Sequence, residues 1–240
     1  RFGGLVANDR VSFTVRAGEV MALIGPNGAG KSTMFNGISG VDPLSSGAVT
    51  FRGKRIESLL ARDIARLGMS RTFQHVRLLA GMSVIENVAI GAHLRGRKGF
   101  VAAACRADRH EEARLLREAA VQIERCGLAE QMYEATGSLP LGRQRLVEIA
   151  RALAADPCLL LLDEPAAGLR YLEKQALADL LRRLRAEGIG ILLVEHDMDF
   201  VMGLADRVVV MEFGRKLAVG LPEEIQRHPA VVEAYLGGVE

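Results

Sequence analysis

Three continuous apolar runs frame the chain: Val20-Met21-Ala22-Leu23-Ile24, Leu159-Leu160-Leu161-Leu162 and residues 189–194. Runs without polar alternation predict parallel strands covered on both faces. Val11-Ser12-Phe13-Thr14-Val15 does alternate, and predicts a half-buried strand. Residues 1–4 read as the end of a strand and a turn, and 72–74 as the end of another strand. Two further pairs predict hairpins. Residues 49–51 and 54–56 bracket Gly53, and residues 208–211 and 217–219 flank Phe213-Gly214.

Helical spacing fills the intervals. Helices are expected over 33–39, 84–92, 106–126, 146–153, 171–187, 222–227 and 229–236. In 106–126 the apolar residues Ala113, Leu116, Ala120 and Ile123 step 3–4–3, opposite a charged face, with Gly127 placed to cap the C-terminus. Strands alternating with helices predict a mostly parallel α/β core. From about Ser83 to Ala155 the texture turns helical, and this stretch reads as an insertion between two α/β halves. There is no internal repeat.

Composition agrees with a globular protein: 240 residues, 49% hydrophobic and 25% charged. The net charge of +2, from 31 basic and 29 acidic residues, carries no clustered basic excess, so no nucleic-acid partner is expected. Residues 94–110 are basic and read as a solvated loop. Cys105, Cys126 and Cys158 stand far apart in no metal or disulfide pattern, as reduced thiols do. No apolar run approaches the roughly 20 residues of a membrane span. No signal-peptide pattern stands at the start, where the chain begins with Arg1.

The chemistry starts directly after the first apolar run. Gly25-Pro26-Asn27-Gly28-Ala29-Gly30-Lys31-Ser32-Thr33 reads G-x-x-x-x-G-K-[ST] between a strand and a helix, the context a phosphate-binding P-loop needs. Glycines let the loop wrap around phosphate oxygens, and successive N–H groups with the helix N-terminus face the anion. Lys31 supplies charge for the β- and γ-phosphates and Ser32 a hydroxyl for Mg²⁺. The second acidic part follows Leu159–Leu162. Asp163 and Glu164 arrive at the C-terminal end of that strand, the edge where open α/β sheets bind ligands. Asp163 is a candidate Mg²⁺ ligand, and Glu164 a candidate base for an attacking water. Gln74 and His196 each follow a predicted strand and gain meaning only beside the P-loop and the acidic pair. Gly142 precedes a helix and is a further anion-binding candidate.

Taken together these residues resemble the ATP-binding subunit of ABC transporters, through essentially the whole chain. The P-loop is 25–33, the Q-loop glutamine Gln74, the signature stretch 139–144, the Walker B pair Asp163-Glu164 and the switch histidine His196. The resemblance implies a P-loop NTPase, RecA-like, with an antiparallel β subdomain and an inserted helical subdomain. The nucleotide-binding core would be 1–74 and 157–240, and the helical subdomain 75–156. It also implies that Phe2 stacks on adenine, that Asn27, Gly28, Ala29, Gly30, Lys31, Ser32 and Thr33 bind ATP, and that Ser32, Gln74 and Asp163 hold Mg²⁺. Glu164, His196 and Gln74 would be catalytic. Gly142 and Arg143 would face ATP on a second ATP-binding subunit, identical or a sister chain. The further partners implied are a transmembrane permease, seated on 74–88, and indirectly a solute-binding protein. The place implied is the cytoplasmic face of the membrane.

Within the family, Arg1-Phe2-Gly3-Gly4-Leu5, Arg71-Thr72-Phe73-Gln74-His75 and Glu195-His196-Asp197-Met198 look like the LivG-type ATPase of branched-chain amino-acid importers, as does the ending at 228–237. Two positions depart from the family pattern. Pro140 replaces the signature serine, with Arg143 at the glutamine position, and Arg170-Tyr171 replaces an Asp or Asn followed by Pro. Both lie on surfaces that the family uses between subunits. Judged on the residues alone, three other classes stay open: a soluble ABC-type clamp, a P-loop kinase, and a scaffold that binds ATP without turnover.

Overall fold

A computed structural model describes residues 6–74, 76–92 and 109–236. Its centre is a six-stranded sheet in the order β4-β5-β6-β1-β7-β8. The strands are β1 (Val20–Ile24), β4 (Met69–Arg71), β5 (Leu159–Asp163), β6 (Gly190–Val194), β7 (Arg207–Glu212) and β8 (Arg215–Gly220). All neighbours are parallel except β7 and β8. A separate antiparallel hairpin joins β2 (Thr50–Phe51) to β3 (Lys54–Arg55).

The period-2 geometry of strands sorts the apolar runs onto two faces. Val20, Ala22 and Ile24 of β1 enter one core with Leu160, Leu162, Ile191, Leu193, Val208 and Val210. Met21 and Leu23 enter the other with Leu161, Leu192, Val194, Val209 and Met211. Each such Val, Leu, Ile or Met side chain, fully withdrawn from water, contributes about 1.5–3 kcal/mol. This is why the runs are apolar without alternation. The second core is closed by Phe35 of α1 (Lys31–Ile38), Ile64 of α2 (Ala61–Arg66), and Phe51 and Ile56 at the small hairpin. The first is closed by helices: α3 (Val84–Ala92), α4 (Arg109–Arg125), α5 (Leu141–Ala154), α6 (Tyr171–Ala186) and α7 (Met198–Leu204). Helices α3, α4 and α5 pack on one another, and α5 also touches β4. Two short helices, α8 (Pro222–Gln226) and α9 (Pro229–Leu236), end the described chain.

Both hairpins turn through two residues with positive φ, Arg52-Gly53 and Phe213-Gly214, which suits the right-handed strand twist. Residues 11–15 correct the sequence expectation. They alternate between half-buried and exposed, but they belong to no strand. Long side chains bind this segment instead: Lys216 Nζ donates to the Ser12 carbonyl and Arg207 Nη1 to that of Thr14. The signature helix is longer than its apolar spacing indicates and starts at Leu141, so Gly142 lies inside its first turn rather than ahead of it. Helix α2 was not legible, being six residues with one buried side chain.

Candidate functional site

The P-loop runs from the end of β1 into α1 and is fixed from beside it. A Cβ on Gly25, at φ +151°, would sit 2.1 Å from the Met211 carbonyl oxygen, so β7 leaves room for glycine alone. The Gly214 amide donates to the Ala29 carbonyl at 3.1 Å, and Asn8 Nδ2 to the Gly30 carbonyl at 3.3 Å. The hairpin tip and the segment before residue 11 therefore hold the loop open from behind. Asn27, Gly28 and Ser32 are exposed, Gly30, Lys31 and Thr33 are half-buried, and Ala29 is buried. Lys31 Nζ donates to the carbonyls of Gly25 at 2.6 Å and Pro26 at 3.0 Å. Burial pulls this ammonium below the ordinary lysine range, while Glu164 and Asp163 favour its charge.

The acidic pair lies across from Lys31 at the end of β5. Glu164 has a left-handed backbone, φ +50°, and its amide donates to the Val194 carbonyl at 2.9 Å. A non-glycine residue held there is strained, and the sheet around it sustains the strain. The turn aims the Glu164 carboxylate between two other loops. Gln74 Nε2 donates to Oε2 at 3.2 Å, and His196 Nδ1 lies 3.9 Å from Oε1. Gln74 sits three residues beyond β4 and His196 two beyond β6. Three residues far apart in the chain thus meet at one sheet edge, beside the P-loop lysine.

Asp163 is buried, and burial pushes its carboxyl up while Arg71 pulls it back. Arg71 Nη2 donates to Asp163 Oδ2 at 3.1 Å. Its Nη1 donates to Asn36 Oδ1 at 2.8 Å and Ser39 Oγ at 2.9 Å, both on or just after α1. The rings of Phe35 and Phe73 lie 5.5 and 5.2 Å from the guanidinium carbon. Sequence reading gave Arg71 no role, because nothing local pairs a strand-end arginine with an acid 92 positions away. Glu195 was also missed. It is fully buried, and its carboxylate accepts from the Ala166 and His196 amides.

The predicted second anion site is apart from this cluster. Gly142 is buried, and a Cβ there would sit 2.7 Å from Glu173 Oε1 of α6. Arg143 is exposed and its Nη1 donates to the Gly127 carbonyl at 3.0 Å. Pro140 is the N-cap of α5 and offers no side-chain cap bond. No hydrogen bond among the described residues joins Gly142 or Arg143 to the P-loop. Beside them Leu141, Tyr171 and Leu172 stand exposed. Phe2, His75 and the basic stretch 94–108 lie outside the described residues. One link does join the helices to the cluster of Gln74, Glu164 and His196: Arg145 Nη2 of α5 donates to the Gln74 carbonyl at 3.3 Å.

Mg²⁺ suits these residues. Among the described residues no group of three or more His, Cys, Asp or Glu could hold a metal alone. One hydroxyl, one amide and one carboxylate around a phosphate loop are instead the sparse oxygen set that Mg²⁺ takes together with nucleotide oxygens.

The family model described as "ABC transporter" matches residues 8–167, and a second, "Branched-chain amino acid ATP-binding cassette transporter", matches 215–240. The high-affinity branched-chain amino acid transport ATP-binding protein LivG of Salmonella typhimurium is 45% identical over 240 residues, covering 99% of this chain and 94% of that one. The high-affinity branched-chain amino acid transport ATP-binding protein BraF of Pseudomonas aeruginosa is 41% identical over the same coverage. Among solved structures, an ATP-binding cassette of an ABC transporter in its ADP conformation superposes with a TM-score of 0.86 at 32% identity, covering 98% of this chain and 94% of that one. A nucleotide-free cassette gives 0.85 at 34% identity, with the same coverage. With a matched cassette model over two thirds of its length and near-complete coverage by these relatives, the chain belongs to the ABC transporter family.

Proposed function

We propose that this chain is the ATP-hydrolysing subunit of an importer for branched-chain or related amino acids. The observation that carries the chemistry is the meeting of Gln74, Glu164 and His196 beside Lys31. Lys31 binds the β- and γ-phosphates, and the P-loop amides from Asn27 to Thr33 cradle them. Ser32, Asp163 and Gln74 would hold Mg²⁺, which neutralises phosphate charge when bound. Glu164 accepts the proton of the attacking water, Gln74 orients that carboxylate, and His196 donates to the γ-phosphate as charge develops there. Phe2 stacks on adenine.

The solute class rests on relatives that cover nearly the whole chain. Residues 1–74 and 157–240 act as the nucleotide-binding core and 75–156 as the helical subdomain. Two ATP-binding subunits, alike or sister chains, sandwich ATP so that Gly142 and Arg143 of one face the P-loop of the other. The exposed Leu141, Tyr171 and Leu172 are the apolar part of that contact.

The permease seat is a mostly apolar groove of about 890 Å³ between β4 and the helices, lined by Phe73, Met82, Ala89, Ile90, Leu115 and Leu116. Phe73 adjoins Gln74, so an occupant of the groove bears directly on the hydrolytic cluster. No described helix is long and apolar enough to cross a membrane. In keeping with relatives that are ATP-binding proteins of transport systems, the subunit docks peripherally, on the cytoplasmic side, and meets a solute-binding protein only through the permease. Co-purification with the native permease, followed by ATPase measurement with and without branched-chain amino acid and its binding protein, tests the reading. Stimulated turnover is expected. Turnover indifferent to every amino acid in the assembled complex would overturn the solute class, and a complex without turnover would overturn the motor.

A further inference from the structure

Glu195 lies at the end of β6 with no exposed surface. Withdrawing a carboxylate from water costs several kcal/mol unless its oxygens are compensated. Backbone N–H groups offset part of that cost, and burial still holds the carboxyl above the usual carboxylate range. Oε1 accepts from the Ala166 amide at 2.7 Å, Oε2 from the His196 amide at 3.2 Å, and the Asp197 amide is directed at the same group. Ala166 lies two residues beyond Glu164, and His196 is the next residue after Glu195. One side chain therefore ties the loop after β5 to the loop after β6.

The neighbouring contacts hold the same loop from its far side. Asp197 caps α7 by accepting from the Phe200 amide at 3.0 Å, and it pairs with Lys174 of α6. His196 itself is exposed, with 63% of its side chain open to solvent, so its surroundings constrain the imidazole little. What aims it is its backbone. A glutamine at 195 would turn an NH₂ towards amides that need an acceptor. An aspartate would be one methylene too short to span both loops.

We propose that Glu195 is a positioning residue, which acts through the backbone of Ala166 and His196 to hold the histidine at its working distance from Glu164. The proposal rests on the reading of Glu164 and His196 as the hydrolytic pair. It adds a group that touches neither nucleotide nor water.

The test is steady-state ATPase of the permease complex carrying Glu195→Gln or Glu195→Asp, with ATP affinity measured alongside. Expected is a fall in kcat of tenfold or more, with ATP affinity within twofold of the parent. In a His196→Ala background, Glu195→Gln should cost less than twofold, because the residue it acts through is gone. An equal loss in both backgrounds would overturn the assignment, as would unchanged kcat or a parallel loss of ATP affinity. Amide hydrogen exchange on the Glu195→Gln protein gives a readout independent of turnover. The Ala166 and His196 amides should exchange at least tenfold faster, and unaltered protection would overturn the clamp even if the parent complex hydrolysed nothing. A parent complex without turnover would count against the hydrolytic reading alone.

Discussion

Arg71 Nη2 lies 3.1 Å from Asp163 Oδ2, with both side chains less than a tenth exposed. Removing one partner of such a pair strands the other. Arg71→Met leaves Asp163 as an uncompensated buried acid, a loss of about 3–5 kcal/mol. For a chain of this size that lowers the thermal midpoint by roughly 6–20 °C. Adding Asp163→Asn to Arg71→Met should recover part of the midpoint, since no buried charge is then left. Thermal unfolding of the two variants followed by circular dichroism checks both. A midpoint for Arg71→Met within 2 °C or so of the parent would show the pair to be dispensable.

Glu164→Gln keeps the oxygen that accepts from Gln74 and removes the base. ATP binding should persist while turnover drops by about two to four orders of magnitude. The variant should also trap the ATP-bound pair of subunits, visible as a doubled mass by light scattering with ATP and Mg²⁺. Near-parental hydrolysis would take Glu164 out of its role.

Pro140 caps α5 with φ −56° and ψ 151°, a backbone that serine adopts freely. Pro140→Ser should stabilise the helix start by about 0.5–1 kcal/mol through a new N-cap bond. It also restores a hydroxyl where the family's signature has one. We expect faster hydrolysis or a tighter ATP-bound pair, read from ATPase rate and sedimentation. A stability gain with neither effect would mean that another donor already serves the second phosphate site.

Burial pushes the Cys126 thiol up to about 12, against the opposing pull of Arg125 and Arg183. Cys158 is exposed. In a Cys105→Ser background, a chromogenic disulfide reagent at pH 8 should therefore titrate one thiol in the folded protein and two in denaturant. The shift also has a sign for stability. The unfolded chain releases this proton near 9, the folded chain only near 12. Folding stability thus falls as pH rises through that interval, and is unaffected by this thiol below it. Two fast thiols in the native protein would contradict the burial.

The buried strands and the P-loop were legible because each rests on local pattern: four to six apolar residues in a row, or glycines at fixed spacing. Asp163 and Glu164 were legible for the same reason. What the sequence did not disclose are pairings set by the order of strands. Arg71 meets Asp163 because β4 and β5 lie side by side, and Glu195 meets Ala166 because β5 and β6 do. Residues 11–15 misled in the opposite direction. Their alternation is real in exposure, but strand pairing needs a neighbour, and side chains from Arg207 and Lys216 take the carbonyls instead. Arg143 was read as charge for a phosphate, and its contact with the Gly127 carbonyl depends on how α5 meets the end of α4.

The place of β1 in the sheet sets a timetable for synthesis. Its two neighbours are β6 and β7, with Val20 opposite Ile191 and Met21 opposite Arg207. A ribosome making this chain exposes Val-Met-Ala-Leu-Ile early and must add about 170 further residues before either edge of that strand finds its partner. Until then an apolar strand with free N–H and C=O groups is available to any other chain, the circumstance in which aggregation competes with folding. Folding dominated by such distant pairings is slow. Fragments that stop short of β6 should therefore be insoluble or chaperone-bound, even though they contain the whole phosphate loop.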